Sequence, residues 1–186
     1  GLAFNAARNI LYVADEYNNR VLAFDVADIV NGEDAAYVIG QVNFTSNIAG
    51  TSEDNLREPR GLAYDADRNI LFVSDSNNHR VVAFNVGEKI KSAFGVLGQS
   101  DFTSNATGIS AANFSFPTSL SYQNNSLFVG DQNNNRVLAF DVTDITNGED
   151  AVKVFGQANF DTSQLPAGFG SASSLQTPVA VLASGN

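Results

Sequence analysis

The chain has 186 residues, enough for a hydrophobic core and for one domain or at most two, and its 44% apolar content excludes wholesale disorder. Twenty acidic against ten basic residues give a formal net charge of −10, which disfavours nucleic acid and anionic membrane surfaces as partners. With no Cys and one His, the chain excludes disulfides, thiolate chemistry and a multi-histidine centre of its own, and no apolar run approaches the ~18 residues of a membrane span.

In chain order, residues 18–26 return almost unchanged at 78–86 and again at 134–142. Gly40-Gln41 returns as Gly98-Gln99 and Gly156-Gln157, and Phe44, Phe102 and Phe160 keep the same step of 58 residues. Pro59, Pro117 and Pro178 recur as well, so the chain is three copies of one unit. The second copy shows the elements most clearly. Residues 61–64 form a short apolar run that ends in the polar turn 65–69, and residues 70–73 are β-branched and aromatic before the turn 75–78. Residues 80–86 are apolar on both faces, which predicts a strand sandwiched between neighbours, and 93–97 is a fourth run. A long connection rich in Ser, Thr, Asn and Gly follows, and no window predicts an amphipathic helix. Four short strands, a to d, repeated at this scale predict β-propeller blades.

The run Pro59-x-Gly61-Leu62-Ala63-Tyr64-Asp65, followed by Leu71-x-Val73-x-Asp75-x-x-Asn78-x-Arg80-Val81, resembles a blade of the NHL-repeat β-propeller family. The first copy matches equally well from Gly1; the third departs at Ser119-Leu120-Ser121-Tyr122 and has a shortened turn at Asn124-Asn125. The expected fold is therefore an all-β propeller of four-stranded antiparallel blades: blade 1 over 1–60, blade 2 over 61–118, blade 3 over 119–178, and the start of a fourth over 179–186. The resemblance implies a six-bladed ring, of which these blades are half. The absence of Met and the mid-pattern ends favour a chain that continues in both directions over two copies closing a ring head to tail. An open edge would otherwise expose apolar blade faces.

The recurring turn Asp15/Asn18/Asn19/Arg20, Asp75/Asn78/His79/Arg80 and Asp131/Asn134/Asn135/Arg136 is expected to be a folding device, because a catalytic site is normally built once. There, Asp at a strand end is expected to accept backbone N–H groups of the b–c turn, while Asn tolerates left-handed φ and Arg pairs with Asp. The b–c turns and the long d–a loops (42–58, 100–116, 158–177) share one face of the blades. Long loops on a rigid scaffold are the default place for recognition, so their tips Thr45, Ser46, Asn47, Thr103, Ser104, Asn105, Thr162 and Ser163 are the binding candidates. Phe44, Phe102 and Phe160 are expected to plug their blades. The c–d acids beside Asn31-Gly32 and Asn147-Gly148 lack the EF-hand spacing, and the second copy has Gly87-Glu88-Lys89 there. Asn43, Asn105, Asn113 and Asn125 are marked as glycosylation acceptors, about the number expected by chance. His79 is read as a turn residue. Strand a is expected to line a central channel with Leu2, Ala3, Phe4, Leu62, Ala63, Tyr64, Leu120, Ser121 and Tyr122, an apolar or small lining with no metal ligands.

The expected function is a non-enzymatic interaction or structural scaffold of an exported, bacterial, cell-surface or extracellular protein. It would bind protein or glycan without a cofactor, without nucleic acid and without membrane insertion. The alternative is part of a metal-dependent propeller hydrolase or lyase whose ligands lie on other blades.

Overall fold

Turn chemistry decides how each unit folds. The first two a–b turns carry Asn9 and Asn69 at φ 53° and 57°, a left-handed conformation that Asn tolerates better than most residues. The third is a two-residue turn in which Asn124 and Asn125 both have positive φ, the geometry that suits a tight hairpin, and it joins Gln123 directly to Ser126 in register. The computed structural model describes residues 1–87, 92–164 and 171–183. Within them the chain forms three four-stranded antiparallel meanders. The first is β1 (Leu2–Asn5), β2 (Ile10–Asp15), β3 (Arg20–Asp25) and β4 (Tyr37–Ile39). The second is β5 (Pro59–Asp65), β6 (Ile70–Asp75), β7 (Arg80–Asn85) and β8 (Ala93–Leu97). The third is β9 (Pro117–Gln123), β10 (Ser126–Asp131), β11 (Arg136–Asp141) and β12 (Lys153–Phe155). Strand order follows chain order in every sheet, and each inner pair keeps one register: Asp15 opposite Arg20, Asp75 opposite Arg80, Asp131 opposite Arg136.

The core lies between sheets, because side chains of period two send alternate residues to opposite faces. One apolar cluster joins the trailing face of the first sheet (Tyr12, Val21, Ala23, Ile39) to the leading face of the second (Leu71, Val73, Val82, Phe84). The other joins the second (Phe72, Val81, Ala83, Leu97) to the third (Leu127, Val129, Leu138, Phe140). Tyr12 and Tyr64 meet at 6.0 Å across the first interface, and Phe72 stacks on Tyr122 at 5.9 Å across the second. The two-sided apolar pattern is thus buried on both sides in one sheet only. All six residues of β6 are buried, whereas Leu11 and Val13 of β2 stay half-exposed on the outer side.

The inner strands approach so closely that a side chain at Gly61 would bring its Cβ within 2.8 Å of the Thr118 carbonyl. Inner-strand residues do not all face a channel, as the sequence reading had them. Ala63, Leu120 and Tyr122 pack into one intersheet cluster, and Ala3, Leu62 and Tyr64 into the other. The described residues 179–183 lie along β9 without strand pairing, with Thr118 Oγ1 donating to the Pro178 carbonyl and Ala183 N–H to Ser121 Oγ at 2.8 Å. Residues 184–186, Glu88 and Lys89 fall outside the described residues.

Candidate functional site

Each recurring Asp-x-x-Asn-x-Arg segment forms a single 3₁₀ turn closed by a left-handed residue, Asn19, His79 or Asn135. The left-handed φ expected of asparagine in this motif falls on the second of each pair, Asn19 and Asn135, and on His79 in the second unit. Asn18, Asn78 and Asn134 are not the left-handed residues; each ends its 3₁₀ turn, and the positive φ falls one position later, where the chain reverses into the next strand. The tight turn brings residues three apart onto one side, so each Asn amide meets the aspartate that opens its own turn. Asn134 Nδ2 donates to Asp131 Oδ2 and to the Gly108 carbonyl, both at 2.8 Å, and Asn78 likewise bonds Asp75 and the Gly50 carbonyl. Asn18 Nδ2 instead spans both Asp15 oxygens at 3.0 Å. The asparagine is thus a donor that shares the carboxylate with Arg.

In the second sheet the Asp75 carboxylate accepts from Arg80 Nε at 2.7 Å, Asn78 Nδ2 at 2.8 Å and, in place of the expected N–H of the b–c turn, the Arg57 N–H of the arriving loop at 2.6 Å. Arg80 then turns its guanidinium fork on main-chain oxygens: Thr51 and Phe102 at 2.6 Å, Asn55 at 3.0 Å and Ser52 at 3.3 Å. One side chain therefore ties the loop 42–58 that enters the sheet to the loop 100–116 that leaves it. The third sheet repeats this through Asp131 and Arg136, which reaches Ile109, Ser110, Asn113 and Phe160 carbonyls. Burial pushes the Asp75 and Asp131 carboxyls up, against the pull of the guanidinium beside each. With its donors committed to carboxylate and carbonyl oxygens, each buried Arg is a clamp on two loops.

The left-handed residue is a second tie. Asn19 Oδ1, His79 Nδ1 and Asn135 Oδ1 accept from the N–H groups of Glu58, Phe116 and Thr177, at 2.9, 3.1 and 2.9 Å. Those three precede the recurring prolines and have φ of 51°, 62° and 42°. His79 is therefore an acceptor at Nδ1, with the proton assigned to Nε2. Burial and the nearby Arg57 lower its pKa. Gln99 adds a third tie, donating to the His79 and Ala106 carbonyls and accepting from Ala106 N–H.

The candidate loop tips are largely engaged with their own loops. Asn43 Oδ1 accepts from the N–H and hydroxyl groups of Thr45 and Ser46, and Asp101 Oδ1 does the same for Thr103 and Ser104. These bonds hold the Asp101 carboxyl down at about 2. The Asn47 and Ser163 carbonyls accept from Asn19 and Asn135, and Thr162 bonds the Asn159 carbonyl; Asn105 is exposed. Phe102 packs against the cluster between the first two sheets and Phe160 against the next one. Each Phe therefore seats toward the preceding sheet, and Phe44, with no such sheet before it here, is 47% exposed.

Sequence reasoning missed the plugs beneath these loops. Leu56, Phe114 and Leu175 sit under Gly40, Gly98 and Gly156, whose φ values are 82°, 88° and 88°; a Cβ there would meet each plug within 2.6 Å. Their signal was a constant place three residues before the recurring proline. Also missed was a groove of about 450 Å³ at the loop end of the inner strands, lined by Glu16, Arg60, Thr118 and Gln132. Arg60 pairs with Glu16 of the neighbouring sheet at 2.6 Å and lies 4.7 Å over the Phe116 ring. The groove varies between repeats where the clamp does not: Glu16, Ser76 and Gln132 follow the three aspartates, and Arg60, Thr118 and Val179 the three prolines.

At the opposite end, Gly32 and Gly148 adopt positive φ in their turns. Among the described residues no group of three or more His, Asp or Glu could hold a metal ion. One acceptor is corrected: the tripeptide reads Asn124-Asn125-Ser126, so it points to Asn124, while Asn125 Oδ1 accepts from the Tyr122 hydroxyl. Asn43 and Asn113 use their amides within the loops.

Residues 56–84 match the family model described as NHL repeat. NHL repeat-containing protein 2 of Bos taurus is 32% identical over 99 residues, 52% of this chain and 13% of that protein, and the Gallus gallus protein is 29% identical over the same length. The chain thus spans about an eighth of these relatives. Among solved structures, a nidogen/laminin complex matches 83% of this chain and 46% of that chain with a TM-score of 0.54 at 18% identity. The RRP9 WD40 repeats match 82% and 37%, also with a TM-score of 0.54, at 8% identity. At these identities the likeness is one of fold, that of a β-propeller.

Proposed function

We propose that the three blades, the second of which matches the NHL-repeat model, form an interaction scaffold that presents its clamped loop face to a protein or glycan. The observation that carries this reading is the double clamp. Arg80 and Arg136 are fully buried and each fixes main-chain oxygens of two successive long loops, so the loop face is ordered before any partner arrives. Such preorganisation lowers the entropy lost on binding. Charge points away from nucleic acid: five of the ten basic residues are already in ion pairs with acids. An acidic surface rich in Asn, Ser and Thr supports an exported setting.

The ring requires further blades of the same type. The leading face of the first blade carries exposed Leu2 and Phe4 with half-buried Leu22 and Phe24, the same positions that are apolar and covered in the second. A continuing chain or a second copy can supply the cover. Sedimentation velocity separates the two, since a two-copy ring runs as a defined dimer. If Leu22→Asp with Phe24→Asp leaves solubility and mass unchanged, the covered-face reading is wrong.

Selection from a displayed peptide library tests the scaffold itself. Binders are expected to protect amides of the d–a loops and b–c turns. A footprint confined to the c–d end contradicts the reading. Tightly bound divalent metal, measured by elemental analysis and accompanied by hydrolase or lyase turnover, also contradicts it.

A further inference from the structure

We propose that the loop end of the first blade docks a protein segment presenting apolar side chains flanked by Lys or Arg. This rests on the scaffold reading above and adds to it the blade and the chemistry of the partner. The surface is made by Tyr17, Val42 and Ile48, which are 84%, 82% and 67% exposed.

Each occupies a repeat position that is polar or small elsewhere in the chain. Tyr17 stands where the other units have Asn77 and Asn133, Val42 where they have Ser100 and Ala158, and Ile48 where they have Ala106 and Gln164. The exposure of Val42 and Ile48 is not caused by the open edge of the first blade. Ser100 and Ala106 are exposed as well, although the second blade has a neighbour on both sides. At the Val42 and Ile48 positions only the chemistry of the side chain differs; the Tyr17 position is half-buried as Asn77 in the flanked second blade and exposed as Asn133 in the third. A single exposed apolar residue is ordinary, but three together at positions the fold otherwise fills with polar or small residues mark a contact surface.

Hydrogen bonds hold together the segments that carry the three. Gln41 Nε2 donates at 2.9 Å to the carbonyls of both Ile48 and Asn19, and its Oε1 accepts from Ile48 N–H at 3.1 Å. Asn19 Nδ2 bonds the Asn47 carbonyl at 2.9 Å. Val42 follows Gln41 directly and Tyr17 lies in the turn that Asn19 closes. The charge of the partner follows from the same loop, where Glu53, Asp54 and Glu58 outnumber Arg57 on a chain of net −10.

The probe is a fluorescent twelve-residue peptide with Leu and Phe at its centre and two Lys at each end, followed by anisotropy against the full chain. Saturable binding is expected. It weakens about tenfold or more in the triple variant Tyr17→Asn, Val42→Ser, Ile48→Ala, and comparably when the peptide's Lys become Glu. These replacements are residues already carried at the equivalent positions. The converse graft, Asn77→Tyr with Ser100→Val and Ala106→Ile, is expected to create a second site of similar affinity. An amide-exchange footprint on the unmodified chain places the peptide without any variant. No saturable binding, or equal binding by the triple variant, overturns the proposal. A footprint on the loops of the second or third blade overturns it while leaving the scaffold reading intact; a footprint at the c–d end removes both.

Discussion

The first and second blades carry the same clamp in different surroundings. Arg80 and Asp75 are wholly buried and Arg80 reaches four loop carbonyls, whereas the Arg20 and Asp15 side chains are 16% and 25% exposed and Arg20 bonds one carbonyl, that of Phe44. The asparagines differ in the same way: Asn78 reaches the Gly50 carbonyl of the arriving loop, and Asn18 spends its amide on Asp15 alone. Three of the four loop carbonyls that Arg80 reaches belong to the loop arriving from the preceding blade. The blade motif is therefore half of a device whose other half is the loop arriving from the preceding blade: Arg136 of the third blade, which also receives such a loop, is as buried as Arg80 and likewise reaches four carbonyls.

Removing the carboxylate probes this difference most strongly. Asp75→Ala leaves a buried guanidinium without its counter-charge, and a loss of about 3–5 kcal/mol is expected. Asp15→Ala leaves a partly solvated one and is expected to cost about 1 kcal/mol or less. Urea unfolding of the two variants measures both, and equal costs would break the comparison. The next effect is apolar. Phe84→Ala empties a fully buried site on the covered leading face, at about 3–4 kcal/mol, while Phe24→Ala at the matching half-exposed site is expected to cost less than half of that.

A smaller effect is the pH dependence of the tie between blades two and three. The lowered pKa of His79 means that the unfolded chain binds its proton more readily. Its contribution to stability is therefore complete above the ordinary value of 6.5 and is lost as pH falls from 6.5 through the depressed folded value. His79→Asn, the residue of both sister turns, is expected to remove that slope from urea midpoints between neutral and mildly acid pH. Smallest is the loop tip. Asp101 contributes fully above 3.8 and loses its contribution as pH falls toward about 2. Asp101→Asn, which places there the residue of Asn43 and Asn159, is expected to lower the protection of loop 100–116 slightly at neutral pH and to remove its acid sensitivity in amide exchange.

The blades and their turns were legible because repetition marks whatever every unit needs: Asp75, Asn78, Arg80 and the proline that opens each inner strand. Repetition did not say what each residue does. Two asparagines stand side by side at Asn18-Asn19 and Asn134-Asn135, and only the backbone separates the carboxylate donor from the left-handed residue after it. Contacts that cross a unit boundary left weaker traces. Nothing near Arg60 in sequence announces Glu16, 44 residues earlier, and Phe114 reads as a loop residue until its spacing to Pro117 is compared with that of Leu56 to Pro59. The hydroxyls of Thr45 and Ser46 suggested recognition because their acceptor, Asn43, looked like one more polar loop residue. Repetition also hid the reverse signal. The places where units differ, Tyr17 or Arg60, carry individuality that a search for sameness passes over.

Amide hydrogen exchange of the unmodified chain, dilute enough to be monomeric, tests the neighbour-dependent clamp most directly. Strand β7 is expected to exchange at least about tenfold more slowly than β3, residue for matching residue, with β11 also slower than β3. Equal protection in β3 and β7 would contradict it, because the clamp would then act within one blade and owe nothing to the next.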